Sequence, residues 1–111
     1  MSKKTAFTVE LNGKKEYQRL LDDKTQTHGM KAGRVYLEPS HDCHEHSTEA
    51  REEMLVILSG QGQVLLRDQD PMLVSQGKVA YIPPHTLHNV QNTGSEPLIY
   101  IFCVVPAEVR Q

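Results

Sequence analysis

The chain has 111 residues, which is enough for one domain with its own core and too few for two ordinary domains. Its twelve basic and fourteen acidic residues are mixed along the sequence and give a formal net charge of −2, so no basic surface for nucleic acid or an anionic membrane is expected. No apolar run approaches the roughly 20 residues that span a bilayer, and the start MSKKTAFTVE has no apolar signal core, so we expect a soluble, cytoplasmic protein.

Every element that the sequence predicts is a strand. Short apolar or β-branched runs alternate with clusters of Gly, Pro, Asn and Asp, which is the pattern of an all-β sandwich or barrel. In chain order, strands are predicted at Phe7–Leu11, Tyr17–Leu21, Gly33–Leu37, Glu53–Leu58, Gln63–Arg67, Pro71–Val74, Lys78–Ile82, His88–Gln91 and Leu98–Val104. The segments Ser59–Gly62 and Gln91–Gly94 are predicted to be hairpin turns, because their glycines accept the positive φ that such turns need.

The same pattern predicts the domain organisation. Residues 31–111 are expected to form a barrel within a single-domain protein, and residues 1–30 an N-terminal segment that adds edge strands or mediates dimerisation. Because the strand-like stretch Ala6–Leu21 would leave sheet edges that need covering, a homodimer is expected. Cys43 lies in a polar loop and Cys103 in an apolar run, so reduced thiols are expected rather than a disulfide.

Five of the six histidines fall into two short windows, residues 40–46 and 83–88. In the first window His44 and His46 are one residue apart, and side chains at this spacing in an extended chain point to the same side. Glu53 then opens the predicted strand EMLVIL. Two imidazoles and a carboxylate suit a divalent transition metal, bound at about 2.0 to 2.2 Å, and leave coordination positions free.

The second window offers a third imidazole. His88 is the candidate, because it begins a predicted strand after the rigid Pro83-Pro84 turn, whereas His85 lies inside that turn. We therefore predict a site for one divalent ion of Fe, Mn, Ni, Co or Zn whose ligands are His44, His46, Glu53 and His88.

These residues resemble the two motifs of the cupin superfamily. The first motif runs Gly, five residues, His-x-His, three or four residues, Glu, six residues, Gly, and it is matched by His44, His46, Glu53 and Gly60. The second runs Gly, five residues, Pro-x-Gly, two residues, His, three residues, Asn, and it is matched by Gly77, Pro83, His88 and Asn92. The resemblance implies a double-stranded β-helix, or jelly-roll, barrel with three histidines and one glutamate as metal ligands.

Three positions depart from the cupin motifs. Glu38 replaces the opening glycine, and His85 replaces the glycine of the second motif. Six residues separate His46 from Glu53, so Glu52 is an alternative ligand. Glu53 is preferred, because it keeps the family interval to the following glycine.

Other polar residues are candidates for the pocket around the metal. His41 and His85 are expected near the ligands or at the pocket rim, and Glu52 is a further candidate there. If the polar set of the alternating strand Gly33–Leu37 faced the interior, Arg34 and Tyr36 would hold a substrate carboxylate or hydroxyl. Cys43 directly precedes His44, so in an extended chain it would face away from the ligands.

A metal with free coordination positions inside a narrow barrel suits a small chelating ligand. The expected function is a metal-dependent oxidoreductase of the dioxygenase type, an isomerase or a lyase, acting on a small organic acid, sugar or dicarbonyl. The alternative is a non-catalytic sensor or carbohydrate-binding module, and a third interpretation treats the metal as purely structural. No catalytic residue is assigned from the sequence.

Overall fold

A computed structural model describes residues 3–108, in which the regular secondary structure consists of strands. Residues 1–2 of the predicted N-terminal segment and residues 109–111 of the predicted barrel lie outside the described range. The nine strands of this range are β1 (Gln18–Leu21), β2 (Lys31–Leu37), β3 (His46–Ser47), β4 (Arg51–Ser59), β5 (Gln61–Leu66), β6 (Gln69–Ser75), β7 (Val79–Ile82), β8 (Leu87–Asn92) and β9 (Leu98–Pro106). The predicted all-β fold is confirmed. Within residues 3–108, no helix is long and apolar enough to cross a membrane.

The strands form two antiparallel sheets that face each other. One sheet has five strands in the order β1-β2-β9-β4-β7, and the other has four in the order β3-β8-β5-β6. Alternate residues of each strand point into the space between the sheets, where Leu55 and Ile57 of β4 pack with Val64 of β5 and Val90 of β8. This apolar core holds the two sheets at a fixed separation and so positions the polar residues farther along the same strands.

The two predicted hairpins are wrong, because both turns cross from one sheet to the other. The turn after β4 leads from the five-stranded sheet into the four-stranded sheet, and the turn after β8 leads back. Gly60 has a φ of +87°, and a Cβ atom there would lie 2.3 Å from the carbonyl oxygen of Pro97, so only glycine fits this crossing. A tight hairpin forms instead between β5 and β6, which are paired along their length, and β1 and β2 are also antiparallel neighbours along the chain.

The predicted strand Phe7–Leu11 is not formed. This part of the chain has strand-like alternation but no ladder of hydrogen bonds to another strand in the described structure. It is held at its C-terminal end by Arg34 of β2, whose Nη2 donates to Oδ1 of Asn12 at 2.9 Å and to the carbonyl oxygen of Lys14 at 2.6 Å. The alternating pattern correctly indicates an extended conformation, but a strand also needs a neighbour to pair with.

Candidate metal centre

Three side chains from the two sheets meet at one point. The ligand atoms of His46, Glu53 and His88 all lie within 4.8 Å of one another. His46 and His88 are directly opposite each other on β3 and β8, with ring centroids 4.3 Å apart. Glu53 reaches them from β4 of the facing sheet, and its Oε1 lies 3.0 Å from Nε2 of His88. The fold therefore brings residues of both histidine-containing motifs to a shared centre.

Backbone carbonyl groups orient both imidazoles of this centre. Nδ1 of His88 lies 3.0 Å from the carbonyl oxygen of Thr86, and Nδ1 of His46 lies 2.9 Å from that of His44. Because a carbonyl oxygen only accepts, each Nδ1 carries the proton and donates it. When each ring is neutral, Nε2 is then unprotonated and can donate its lone pair to a metal ion, which is the arrangement that metal-binding histidines require. When His88 is protonated, its Nε2–H instead donates to Glu53.

Burial and charge at the centre also fit a metal ion. Glu53 is 7% exposed and His88 is 1% exposed, so a carboxylate and an imidazole are both withdrawn from water. Burial acts to lower the pKa of His88, but its hydrogen bonds to Glu53 and Thr86 and the charge of Glu53 outweigh burial and raise that pKa above its ordinary value. Two imidazoles and one buried carboxylate form a donor set suited to a divalent transition metal.

A cavity of about 460 Å³ lies beside the three ligands. Its walls are mostly apolar and aromatic and include Leu55, Val90, Tyr100 and Phe102. The charged residues Lys31, Arg51 and Glu49 also line it. Lys31 and Glu53 are both paired with Val104, so they share one row on the inner face of the five-stranded sheet, and Arg51 lies two residues before Glu53 on the same face. One cationic side chain, Lys31, thus lies in the row of the buried carboxylate, and another, Arg51, lies in the next row on the same face.

The family model described as the cupin domain matches residues 33–105, which is most of the chain. The chain belongs to the cupin family. This confirms the resemblance found in the two motifs, and the matched range begins in β2 and ends in β9. The match therefore includes all three residues of the candidate metal centre.

A curated relative and two solved structures show how far the similarity extends. Glucose-6-phosphate isomerase of Pyrococcus abyssi is 38% identical over 71 residues, which is 59% of this chain and 36% of that protein, so this cupin spans little more than a third of its length. A cupin with a double-stranded β-helix fold from Methanocaldococcus jannaschii has a TM-score of 0.76 at 19% identity, covering 92% of this chain and 91% of that one. A predicted oxalate decarboxylase from Thermotoga maritima has a TM-score of 0.74 at 21% identity, covering 81% and 78%. At such identities the two structures support the fold alone.

The first cupin motif is assembled without the side chain of His44. That side chain is 94% exposed, and its Nδ1 lies 3.5 Å from Oδ1 of Asp42. The backbone at His44 has a φ of +70°, so the chain is not extended there and the alternation rule behind the prediction does not apply. His44 contributes its carbonyl oxygen to the orientation of His46 instead. The predicted convergence of four side chains is a convergence of three in this structure.

Three of the predicted neighbours of the metal lie elsewhere. His41 is exposed, and His85 is exposed with a φ of +54° and lines a separate cavity beside Arg67. Glu52 lies on the outer side of β4, where its Oε1 accepts a hydrogen bond from the hydroxyl of Tyr81 at 2.9 Å. None of these three lines the cavity at the centre. The alternation of β4 places Glu53 inside and Glu52 outside.

The polar set of β2 does not face the interior, contrary to the orientation that would have given Arg34 and Tyr36 a substrate-binding role. Val35 lines the cavity and Leu37 belongs to the core, so Arg34 and Tyr36 point to the opposite face of the sheet. Burial and the neighbouring Glu38 raise the pKa of the Tyr36 phenol on that face. The apolar residues of this strand face the interior because burying a polar group without a hydrogen-bond partner costs free energy.

Two polar residues of the centre were not found from the sequence. Thr48 is buried, donates from Oγ1 to the carbonyl oxygen of Pro83 at 2.7 Å and accepts from the backbone N–H of Thr86 at 3.0 Å. It therefore ties the two histidine windows together. Tyr100 is 2% exposed and lines the cavity, and burial raises the pKa of its phenol well above the ordinary value. The apolar run around Tyr100 gave no sign of a polar role, whereas a threonine two residues after His46 was a usable signal.

Cys43 lines the cavity rather than facing away from the ligands. Its Sγ accepts a hydrogen bond from the backbone N–H of Val90 at 3.3 Å and interacts with the Tyr100 side chain, and burial raises the pKa of the thiol. The expectation failed because it assumed an extended chain at His44. Cys43 and Cys103 are both free thiols, as predicted.

Proposed function

We propose that this cupin binds one divalent transition metal through His46, Glu53 and His88 and acts as a metal-dependent enzyme on a small anionic molecule. The observation that carries the proposal is the meeting of three ligand atoms within 4.8 Å at the wall of a cavity of about 460 Å³. Three protein ligands leave coordination positions for substrate or water, which is typical of catalytic rather than structural sites.

The protein's contribution to such chemistry is binding and orientation. A bound ion would act as a Lewis acid on a substrate carbonyl or, if it is iron, support oxygen chemistry. The apolar walls around Leu55 and Phe102 would exclude water from the bound substrate. Tyr100 and Cys43 have raised pKa values and would remain neutral hydrogen-bond donors toward it.

The charges of the cavity favour an organic acid or a phosphorylated sugar among the predicted substrate classes. Lys31 and Arg51 add two positive charges beside the metal centre, and a bound divalent ion would add two more. Glu49 and Glu53, which line the same cavity, and Asp23, whose Oδ2 lies 3.3 Å from Nη2 of Arg51, offset part of this charge. An anionic ligand would bind the ion at one end and these cations at the other. The relative called glucose-6-phosphate isomerase supports the sugar phosphate and isomerase form of this proposal.

The first test is the metal itself. We expect His88→Ala to weaken binding of Zn²⁺, Mn²⁺ or Fe²⁺ by about tenfold or more, because the substitution removes a buried, pre-oriented ligand. His28→Ala is the matched control, since His28 is exposed and does not line the cavity, and it should leave affinity unchanged. Calorimetric titration of the metal-depleted protein measures both. Equal affinity in the two variants would refute the site.

The second test is the reaction. Protein loaded with iron, manganese or zinc is incubated with a panel of organic acids, dicarbonyls and sugar phosphates, while oxygen uptake and product formation are followed. Turnover that needs metal and is lost in His88→Ala supports the enzyme. Metal-dependent binding of panel members without turnover would instead support the non-catalytic binding module.

A further inference from the structure

One row on the inner side of the five-stranded sheet carries both a cation and the buried carboxylate of the metal centre. Lys31 is paired with Val104, and Val104 is paired on its other side with Glu53, so the three residues lie side by side on β2, β9 and β4. All three line the cavity. Two strand spacings of about 4.8 Å each separate the backbone of Lys31 from that of Glu53. The register of the sheet therefore fixes how far this cation lies from the metal centre.

Lys31 is the cation of this cavity that is available to a ligand. None of the ion pairs between the described residues involves Lys31, whereas Nη2 of Arg51 lies 3.3 Å from Oδ2 of Asp23. Glu49 also lines the cavity, but it is exposed, and its carbonyl oxygen accepts a hydrogen bond from the backbone N–H of His85. The backbone of Glu49 is thus tied to the turn that enters the four-stranded sheet, whereas Lys31 lies on the five-stranded sheet.

The wall between Lys31 and Glu53 is apolar. Val104 stands between them, and the next row on the same side of the sheet holds Phe102 and Leu55. Each hydroxyl group of a sugar needs a hydrogen-bond partner when it leaves water, and these three apolar side chains offer none. An aliphatic chain would bury its own surface against them. An organic acid and a phosphorylated sugar both suit the charges of the cavity, but this wall favours the acid.

Aromatic rings close the space next to Lys31 on the same strand. Gly33 is the next residue of β2 on the inner side, and it is paired with Phe102. A Cβ atom at Gly33 would lie 2.5 Å from the hydroxyl oxygen of Tyr17, so the ring of Tyr17 occupies the place of a side chain there. This ring stacks on Phe102 with ring centroids 6.3 Å apart. A ligand held by Lys31 is therefore directed along the row toward Glu53 rather than deeper between the sheets.

From this arrangement we infer that the cavity binds a dicarboxylic acid that carries a hydroxy or oxo group beside one of its carboxylates, an inference that rests on the proposed metal site. The hydroxy or oxo acid group would chelate the ion at the positions that three protein ligands leave open, and the second carboxylate would accept from Nζ of Lys31. Of the roughly 10 Å between the two backbones, the contacts at the two ends, each about 2 to 3 Å long, leave about 5 Å. An extended chain advances roughly 1.2 Å per bond, so an acid of about four or five carbons covers that span.

The test is calorimetric titration of the full-length, metal-loaded protein with acids that share one chelating group and differ in the second carboxylate. 2-Hydroxybutyrate lacks that carboxylate, whereas malate and 2-hydroxyglutarate carry it at the distance inferred above. We expect the tighter of these two diacids to bind about tenfold or more tightly than 2-hydroxybutyrate, because it adds a charge-assisted hydrogen bond. Tartronate is the short control, since its second carboxylate is too close to the first to reach Lys31.

Variants assign the gain in affinity to Lys31. Lys31→Met removes the charge and keeps the length of the side chain, so it should abolish the difference between the diacids and 2-hydroxybutyrate. It should leave the affinities for 2-hydroxybutyrate and tartronate and the metal stoichiometry unchanged. Lys78→Met is the matched control, because Lys78 is exposed and does not line the cavity, and it should retain the full difference.

Four results would overturn the inference: a second carboxylate that adds no affinity, a gain that survives Lys31→Met, a gain lost equally in Lys78→Met, or a loss for tartronate as large as that for the longer diacids. Glucose 6-phosphate is titrated in parallel, and tighter binding of this sugar phosphate than of every acid would overturn it as well. Each of these outcomes leaves the proposed metal site intact. A protein that binds no ion would instead refute that site, so the two failures are distinguishable.

Discussion

Strand β4 buries a charged residue on its inner side and exposes an apolar residue on its outer side, whereas strands usually do the reverse. On the inner face, the strand places the charged Glu53, which is 7% exposed, next to Leu55 and Ile57. On the outer side, the same strand presents Glu52, which pairs with Tyr81, followed by Met54, which is 44% exposed, and Val56. Burying a carboxylate without a partner costs free energy, and so does exposing apolar side chains to water. The inner side of β4 therefore carries the residue that the proposed metal site depends on, and the outer side does not contribute to that site.

The largest effect that separates the two faces concerns stability. Leu55→Ala removes a side chain that is 1% exposed and should lower the free energy of unfolding by about 2 to 5 kcal/mol. Met54→Ala, one residue away, should cost less than about 1 kcal/mol. Urea unfolding of both variants, at one common protein concentration, measures the difference. A larger loss in Met54→Ala than in Leu55→Ala would mean that β4 is shifted by one residue from the register described above. Equal losses would mean that the outer side of β4 is as well packed as its inner side.

The adjacent carboxylates of Glu52 and Glu53 should differ in their effect on metal affinity. Glu53→Gln should lower metal affinity by about tenfold or more, because an amide is a weaker donor than a buried carboxylate. Glu52→Gln should leave the affinity unchanged, since that side chain lies on the outer side and accepts from Tyr81. Isothermal titration with Mn²⁺ or Zn²⁺ distinguishes them, with circular dichroism as the check on folding. The reverse result would assign the ligand to Glu52.

The smallest expected effect on metal affinity is that of replacing His44, whose side chain is exposed. His46→Ala should weaken metal binding by about tenfold, whereas His44→Ala should change it by less than about threefold, because only its carbonyl oxygen contacts the centre. The same titrations measure both. A tenfold loss in His44→Ala would show that its imidazole joins the ligands when metal is bound, as the complete cupin motif implies.

The positions of most strands can be predicted from the local sequence. Alternation of apolar residues, bounded by glycine and proline, predicts eight of the nine described strands because side-chain alternation depends only on a residue's own neighbours. The spacing of Glu53 and His88 within the cupin motifs likewise belongs to the sequence. β3 was missed because, with two residues, it is too short to have a pattern.

Tertiary structure decided everything that depends on a distant partner. Whether the turn at Gly60 makes a hairpin or crosses between sheets depends on the carbonyl of Pro97, far along the chain. The positive φ at His44 turns its imidazole outward and Cys43 inward, and alternation cannot foresee a single residue that leaves the extended conformation. The segment Phe7–Leu11 alternates like a strand yet pairs with none in the described chain, since a hydrogen-bond ladder needs a neighbour that local sequence does not specify.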